Sequence, residues 1–523
     1  MSNPQTTIYL CSGVRLTNSY QHSIWFGSQT EQLNYFSSKV RKTLTNYSYV
    51  RKSWSLKVDA TMEEARTWNY LYFRNGSGKY YFYFINTIEY LNEHTVELFL
   101  ELDVLQTYLT DYSLSACFVE REHSSTDEVG DNIIEEGLEV GEIDTYSVEE
   151  ITDLNDMCIL ILSTLSLTHT TEETKVTGMG GMYDNVYCGM SIFACNVGDA
   201  IELSEHITQL DEWGYSDCIF NIWMYPKNLV ELAPGYSWSS GSLFKYVYQT
   251  KPIDYKLSRN TQLKGYTPKN NKLLTHPYNF LYVSNNIGGC AVFKYEYFTN
   301  PETVNLRVSG SLSPEGVTKL MPTAYKCGLM ENVEEGISGA PYPCCAWNSD
   351  TYKLWLAQNQ NAQKMSYVSS GVSMVGGAVS MFTGNLVGGA SMIVGGLVNI
   401  GNTLSQKKDM SVQPPQAKGN HSGSVNLANG FPLFTIYRKC IDRERAKIID
   451  DFFTMFGYKT LRVKVPNRNV RENFTYTKTQ NCHVSGNLCT DDLRKIESIY
   501  DNGVTFWVDG DSIGNYTLSN NCL

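Results

Sequence analysis

Between Lys364 and Lys407 the chain holds no Asp, Glu, Lys, Arg or His; residues 365–406 are built mainly of Val, Met, Gly, Ala, Ser and Leu. In a sequence that is 18% charged overall, so long a neutral stretch must end buried in protein or in lipid. Its bulky residues recur at roughly helical spacing: Val368, Val372, Met374, Val375, Val379, Met381 and Phe382, then Leu386, Val387, Met392, Ile393, Val394, Leu397, Val398 and Ile400. Gly384-Asn385 near the centre predicts a turn, so the run reads as two apolar helices, about 366–383 and 386–404, folded into a hairpin. Each arm would be about 27 Å long, close to the ~30 Å hydrocarbon core of a bilayer.

The nine glycines of the run argue against a resident membrane helix. Each costs about 1 kcal/mol against alanine in a helix interior, so membrane insertion should be conditional. Gly384 and Gly388 have the spacing that lets membrane helices approach closely, and with Asn385 they are the candidate turn and helix-contact positions. The composition suits a membrane-active segment held in a soluble particle until release. A buried helix pair at a subunit interface is the competing reading. A permanent transmembrane hairpin is disfavoured, since more than 350 residues precede the run and no signal peptide directs export.

The remainder bounds the setting. A chain of 523 residues can bury a large core and should hold several domains. A net charge of -12 disfavours a phosphate-binding protein, although a carboxylate-lined tube would let DNA slide without sticking. The 14 cysteines have no paired C-x-x-C grammar and read as reduced thiols. Runs such as 80–85, 96–104 and 117–120 alternate like half-buried strands, and helices are expected over 62–73 and 438–456, the second capped by Gly457. In that helix Ile441, Ile448, Ile449, Phe452, Phe453 and Phe456 make an apolar face. A polar helix over 350–364 should lead into the neutral run, and an irregular Pro/Gly/Ser-rich segment, 410–424, should follow it.

Catalytic motifs are missing: there is no H-E-x-x-H, G-x-S-x-G or Walker phosphate loop. The carboxylates Glu120, Glu122, Asp127, Glu128, Asp131, Glu135, Glu136 and Glu139 could in principle serve a hydrolase, but such a cluster is usually a solvated face, and it lacks calcium-loop spacing. No catalytic residue, metal ligand or cofactor is assigned. Trp213, Trp223, Tyr225, Tyr236 and Trp238 could stack on cell-wall sugars, though burial is the commoner fate of such side chains.

Several stretches resemble one family. They are Trp25-Phe26 with NYFSSK (Asn34 to Lys39), FLELDVLQTYL (Phe99 to Leu109), FVEREH (Phe118 to His123), EEGLEVGE (Glu135 to Glu142), THPYNF (Thr275 to Phe280), RVSGSL (Arg307 to Leu312), FGYKTLRVKVPN (Phe456 to Asn467), DNGVTFW (Asp501 to Trp507) and IGNY (Ile513 to Tyr516). In these the chain resembles the tail knob, or distal tail tube, proteins of small short-tailed phages of Gram-positive bacteria with protein-primed DNA replication. The likeness is weakest over about 144–271.

The resemblance implies a mainly β, multidomain, barrel-like tube subunit with a long apolar insertion. It implies domains over 1–123 (tube), 124–312 (knob), 313–425 (tube segment plus hydrophobic loop, core 365–406) and 426–523 (tube). It also implies a non-enzymatic homohexamer assembled in the host cytoplasm, placed at the virion tail tip, and touching a proximal tube or connector protein and a tip cell-wall hydrolase. Hydrophobic loops would plug the lumen, then enter the host cytoplasmic membrane as a pore for viral double-stranded DNA, which passes without sequence-specific binding. The alternative is a receptor- or glycan-binding tail protein whose neutral run is only an interface helix pair. A pH trigger would need titratable groups near the run, and His421 with Asp409 are the nearest.

Overall fold

A computed structural model describes residues 6–47, 55–76, 78–168, 182–183, 186–187, 189–213, 218–314, 316–346, 420–422 and 432–523. The chain divides into two compact units, one formed by 1–142, 261–278 and 441–523, the other by 143–260 and 279–440.

The first unit opens with β1 (Thr6–Cys11), β2 (His22–Ile24), α1 (Gln29–Ser38), β3 (Val40–Tyr47), β4 (Ser55–Asp59), α2 (Met62–Ala65), β5 (Tyr70–Arg74), β6 (Tyr80–Asn92), β7 (Thr95–Leu102), α3 (Val104–Thr107), β8 (Tyr112–Leu114) and β9 (Cys117–Glu122). It closes with α5 (Arg443–Phe456), β27 (Tyr458–Lys464), β28 (Phe474–Gln480), β29 (Val484–Gly486), α6 (Thr490–Asn502) and β30 (Val504–Trp507). Six strands form a half-barrel sheet in the order β3-β1-β5-β6-β7-β4. β7 shows why: Val96, Leu98, Leu100 and Leu102 alternate into the core while Glu97 and Glu101 face away. Phe36 of α1 stacks on Tyr70 at 5.1 Å and meets Phe82 at 4.8 Å, seating the helix on the sheet.

A five-stranded sheet, β2-β30-β28-β9-β27, joins sequence-distant ends, because β2 lies parallel to β30. Tyr108 donates to Asp492 of α6 at 2.7 Å, and the Tyr112 and Tyr500 hydroxyls meet at 3.0 Å, so both sheets share one core. β8 and β29 form a short ribbon beside it.

The second unit contains β10 (Ile143–Glu150), β11 (Met157–Ser163), β12 (Met182–Tyr183), β13 (Val186–Tyr187), β14 (Ser191–Asn196), α4 (Ala200–Glu212), β15 (Ile219–Pro226), β16 (Val230–Leu232), β17 (Lys245–Thr250), β18 (Ile253–Ser258), β19 (Asn279–Ser284), β20 (Cys290–Phe293), β21 (Thr303–Gly310), β22 (Thr318–Thr323), β23 (Ile337–Ser338), β24 (Cys344–Ala346), β25 (Asn420–Ser422) and β26 (Thr435–Ile441). A seven-stranded sheet runs β16-β17-β14-β11-β15-β24-β25, beside four-stranded sheets β10-β26-β19-β20 and β18-β21-β22-β23 and the ribbon β12-β13. β11 is buried on both faces: Ile159 and Ile161 pack with Leu203, Ile207 and Leu210 of α4, whereas Leu160 and Leu162 enter the core shared with Val283, Leu306 and Tyr342.

The chain is strand-rich, as its alternation predicts, and the expected strands at 80–85 and 117–120 fall within β6 and β9, while that at 96–104 is β7 up to Leu102 and then gives way to the Asp103 N-cap and Val104 of α3. The expected helices need correction. Over 62–73 only one turn, α2, forms; Tyr70-Leu71-Tyr72-Phe73 is buried on every side chain and pairs in β5, where aromatics favour a pleated surface. The helix expected from Arg438 starts at Arg443, because residues 438–440 pair with β19, the Ile441 N–H donates to Tyr278 O at 3.0 Å, and Asp442 is the N-cap, accepting from the Glu444 N–H at 3.0 Å. Ile448, assigned to its apolar face, is exposed. Gly457 does cap it: its φ is +64°, and a Cβ there would lie 2.2 Å from the Glu122 carbonyl oxygen.

Candidate functional site

All the apolar positions from Val368 to Ile400, the turn positions Gly384, Asn385 and Gly388, the lead-in helix over 350–364, and Asp409 lie outside the described residues. The structure does describe where the chain leaves for them and where it returns. β24 and β25 pair antiparallel, with Ala346 opposite Asn420, Cys345 opposite His421 and Cys344 opposite Ser422. Residues 347–419 therefore leave and return through adjacent strands at one rim of the seven-stranded sheet.

The outgoing chain is anchored before it leaves. Tyr342 is fully buried, its ring edge on Tyr225 at 5.2 Å and its hydroxyl 2.7 Å from that of Thr318; burial raises its pKa well above the usual phenol range. Pro343 O accepts from Met224 N–H at 3.0 Å, and β24 pairs with β15. On the return side, Leu433 and Phe434 are buried and lead into β26. The two segments meet directly: a Cβ on Gly339 would lie 2.7 Å from Leu433 Cδ1, so a larger residue would force the Leu433 side chain to shift.

One turn ties both segments. Between β19 and β20, the Asn285 amide donates to Ser338 O at 2.8 Å on the outgoing side. Its Oδ1 accepts from Ile287 and Gly289 N–H groups at 3.1 and 2.8 Å, which fixes its orientation. The neighbouring Asn286 amide donates to Pro432 O at 2.7 Å and Thr435 Oγ1 at 3.0 Å on the return side. These amides, carbonyls and hydroxyls do not titrate between pH 4 and 8. The clamp holds two crossings of the chain at fixed separation whatever the acidity.

Asn285, Asn286, Gly339 and Leu433 were missed in the sequence. Asn-Asn-Ile-Gly-Gly is legible as a turn, but its targets lie more than fifty residues away. His421 sits in β25 opposite Cys345 as backbone; nothing among the described hydrogen bonds of the clamp uses a histidine.

Five of the eight clustered carboxylates make internal ties within the first unit. Glu136, fully buried, lies between Arg121 and Lys272 and accepts the Lys459 N–H at 2.9 Å. Glu122 pairs with Lys464 at 2.7 Å and accepts Asn467 N–H at 3.1 Å; Glu120 pairs with Lys478 at 3.0 Å. Asp127 accepts from Tyr458 and from Asn271, and Arg445 of α5 meets Glu139 at 3.4 Å. These ties hold the loop down, while Glu128, Asp131, Glu135 and Glu139 are exposed to solvent. Among the described residues no group of His, Cys, Asp and Glu could hold a metal ion. Of the aromatic candidates, Trp223 and Tyr225 are core residues, and Trp213, Tyr236 and Trp238 are half-buried, with Lys227 over the Trp238 ring at 5.1 Å. Eight of the described cysteines are buried. No helix among the described residues is long and apolar enough to cross a membrane.

A strand-rich chain of two units, with buried carboxylate ties and a clamped insertion, has the character of a structural component. Its comparisons place it in phage tails. Residues 4–113 match the caudoviral major tail protein N-terminus, and residues 243–521 match the C-terminal domain of the tail knob protein gp9 of Bacillus phage phi29. The chain belongs to this tail knob family. It is 27% identical to the tail knob protein gp9 of Bacillus phage B103 and 25% identical to that of phi29, over 98% of each chain in both cases. The structure of the bacteriophage C1 tail knob protein gp12 shares its fold, with a TM-score of 0.66 at 14% identity over 99% of this chain and 100% of that one.

Proposed function

We propose that six copies of this tail knob protein form the distal tube of the virion, and that residues 365–406 of each plug its lumen and then enter the host cytoplasmic membrane as a DNA-conducting pore. The observation that carries this reading is the placement of a wholly neutral run beyond a clamp made only of uncharged groups. An insertion held at both ends by one turn is able to change environment while its base, and the units that carry it, stay folded.

In the tube, apolar side chains from six runs would bury against one another and avoid water. On release, each Å² of apolar surface moved from water into lipid contributes about 25 cal/mol. The excess of acidic residues suits a wall past which DNA slides. In this reading the protein works without catalysis, and its partners are its own copies, neighbouring tail proteins, the host membrane and the genome.

Ala346 and Asn420 are paired neighbours, so an Asn-Gly turn should be able to replace 347–419 and leave both strands in register. That variant is expected to fold and assemble yet fail to release dye from anionic liposomes. Leakage equal to that of the full chain would remove the run from the mechanism.

A further inference from the structure

We propose that copies of this chain join head to tail through the first unit, the β6–β7 arm of one copy seating on the open β27 edge of the next. This rests on the self-assembling tube proposed above and names the surfaces that would build it.

The arm is a long hairpin with an uncovered rim. β6 pairs with β5 only over Tyr80–Phe84; its remaining residues pair with β7 alone among the described strands. Near the tip Tyr90 is 57% exposed and Leu91 is exposed beside it. Glu89 stands directly opposite Glu97, and Lys57 of β4 lies opposite Glu97 on its other side, so one cation borders two carboxylates. Like charges in opposed positions of a sheet are destabilising. Neither glutamate forms an ion pair among the described residues.

The β27 edge has the complementary character. It is the last of the described strands of its sheet, and apart from the Lys459 N–H, which Glu136 accepts, its outer rim has no strand partner among the described residues. Leu461, Val463 and Val465 are exposed along it, Val463 to 71%. Arg462, exposed between the first two, has no ion pair among the described residues. At Leu461, with φ +46°, the register with β9 shifts, turning this part of the strand outward. An edge strand with exposed apolar side chains offers unpaired backbone groups to another chain.

An acidic, apolar-tipped arm and a basic, apolar edge on the same unit make two different patches that fit each other. Such a heterologous contact repeats in one direction and closes into a ring when the rotation allows. Strand addition would supply backbone hydrogen bonds, Tyr90 and Leu91 would cover the valines, and Arg462 would supply the cation that Glu89 and Glu97 lack.

The test uses the full chain, with oligomer size followed against concentration by sedimentation and native mass spectrometry, and melting temperature confirming the fold. Arg462→Glu and Val463→Glu should each weaken assembly at least tenfold, and Glu89→Arg with Glu97→Arg should do the same. Combining Arg462→Glu with the two glutamate reversals should recover most of the loss. Wild-type assembly that none of these variants disturbs would overturn the interface and leave the ring intact as a reading. Variants that assemble normally but fail to enter tails would assign the surfaces to a different tail protein. A wild-type chain that stays monomeric at every concentration would remove the ring itself.

Discussion

Single side chains decide whether the base of the insertion is rigid. Asn285 makes three hydrogen bonds through one amide, and its replacement by alanine leaves part-buried backbone groups without these partners. Asn285→Ala is expected to cost the second unit about 2–3 kcal/mol in urea unfolding. Gly339→Ala should cost about 1–3 kcal/mol by pressing a methyl group on Leu433. In the first unit Glu136→Gln would strand two cations beside an amide, and about 3–5 kcal/mol should be lost.

His123 gives the residue scale its pH dependence. Its Nδ1 accepts from the Tyr476 N–H at 2.7 Å, so that nitrogen carries no proton, while Nε2 donates to Thr454 O at 3.1 Å. Burial, with Arg471 nearby adding to it, lowers the imidazole to about 3 from an ordinary 6.5. The unfolded chain therefore binds the extra proton first, and stability falls as pH drops from about 6.5 toward 3. The melting temperature of His123→Gln should depend less on pH between 6.5 and 4 than that of the wild type. Equal slopes for the two proteins would show that His123 does not titrate on unfolding.

At the scale of elements, the neutral run and the strand alternation were readable because each is a local pattern of charge or polarity. Helix boundaries were less so. Arg438 to Ile441 carries charges that fit a helical face, but β19 offers a ladder partner 157 residues away in sequence, and pairing wins until the Asp442 cap. Helices α1 and α6 had signals that went unused: Ser28 with Glu31 caps the first, the Glu31 carboxylate reaching back to Gly27 N–H at 3.0 Å, and Gly503 ends the second. The clamp could not be read, since Asn285 and Asn286 are ordinary turn residues until tertiary structure sets Ser338 and Pro432 beside them. Replacing 347–419 by an Asn-Gly turn should leave the melting temperature of the second unit within a few degrees, because the anchors at Tyr342 and Phe434 lie outside the exchanged segment. A collapse of that transition would mean that the insertion holds the unit together.

At the scale of the whole molecule, the chain combines tail knob units with a segment whose composition belongs to neither water nor a stable membrane helix. Under the proposed function its glycines suit a run that leaves one apolar environment and enters another. The proposed function places two separate demands on one polypeptide: a folded wall past which DNA moves, and a base that survives displacement of what it carries. The most direct measurement is release of graded markers from liposomes by the assembled protein. The account predicts escape of markers as wide as duplex DNA, abolished when 347–419 is replaced; retention of those markers by liposomes bearing the full-length protein would contradict it.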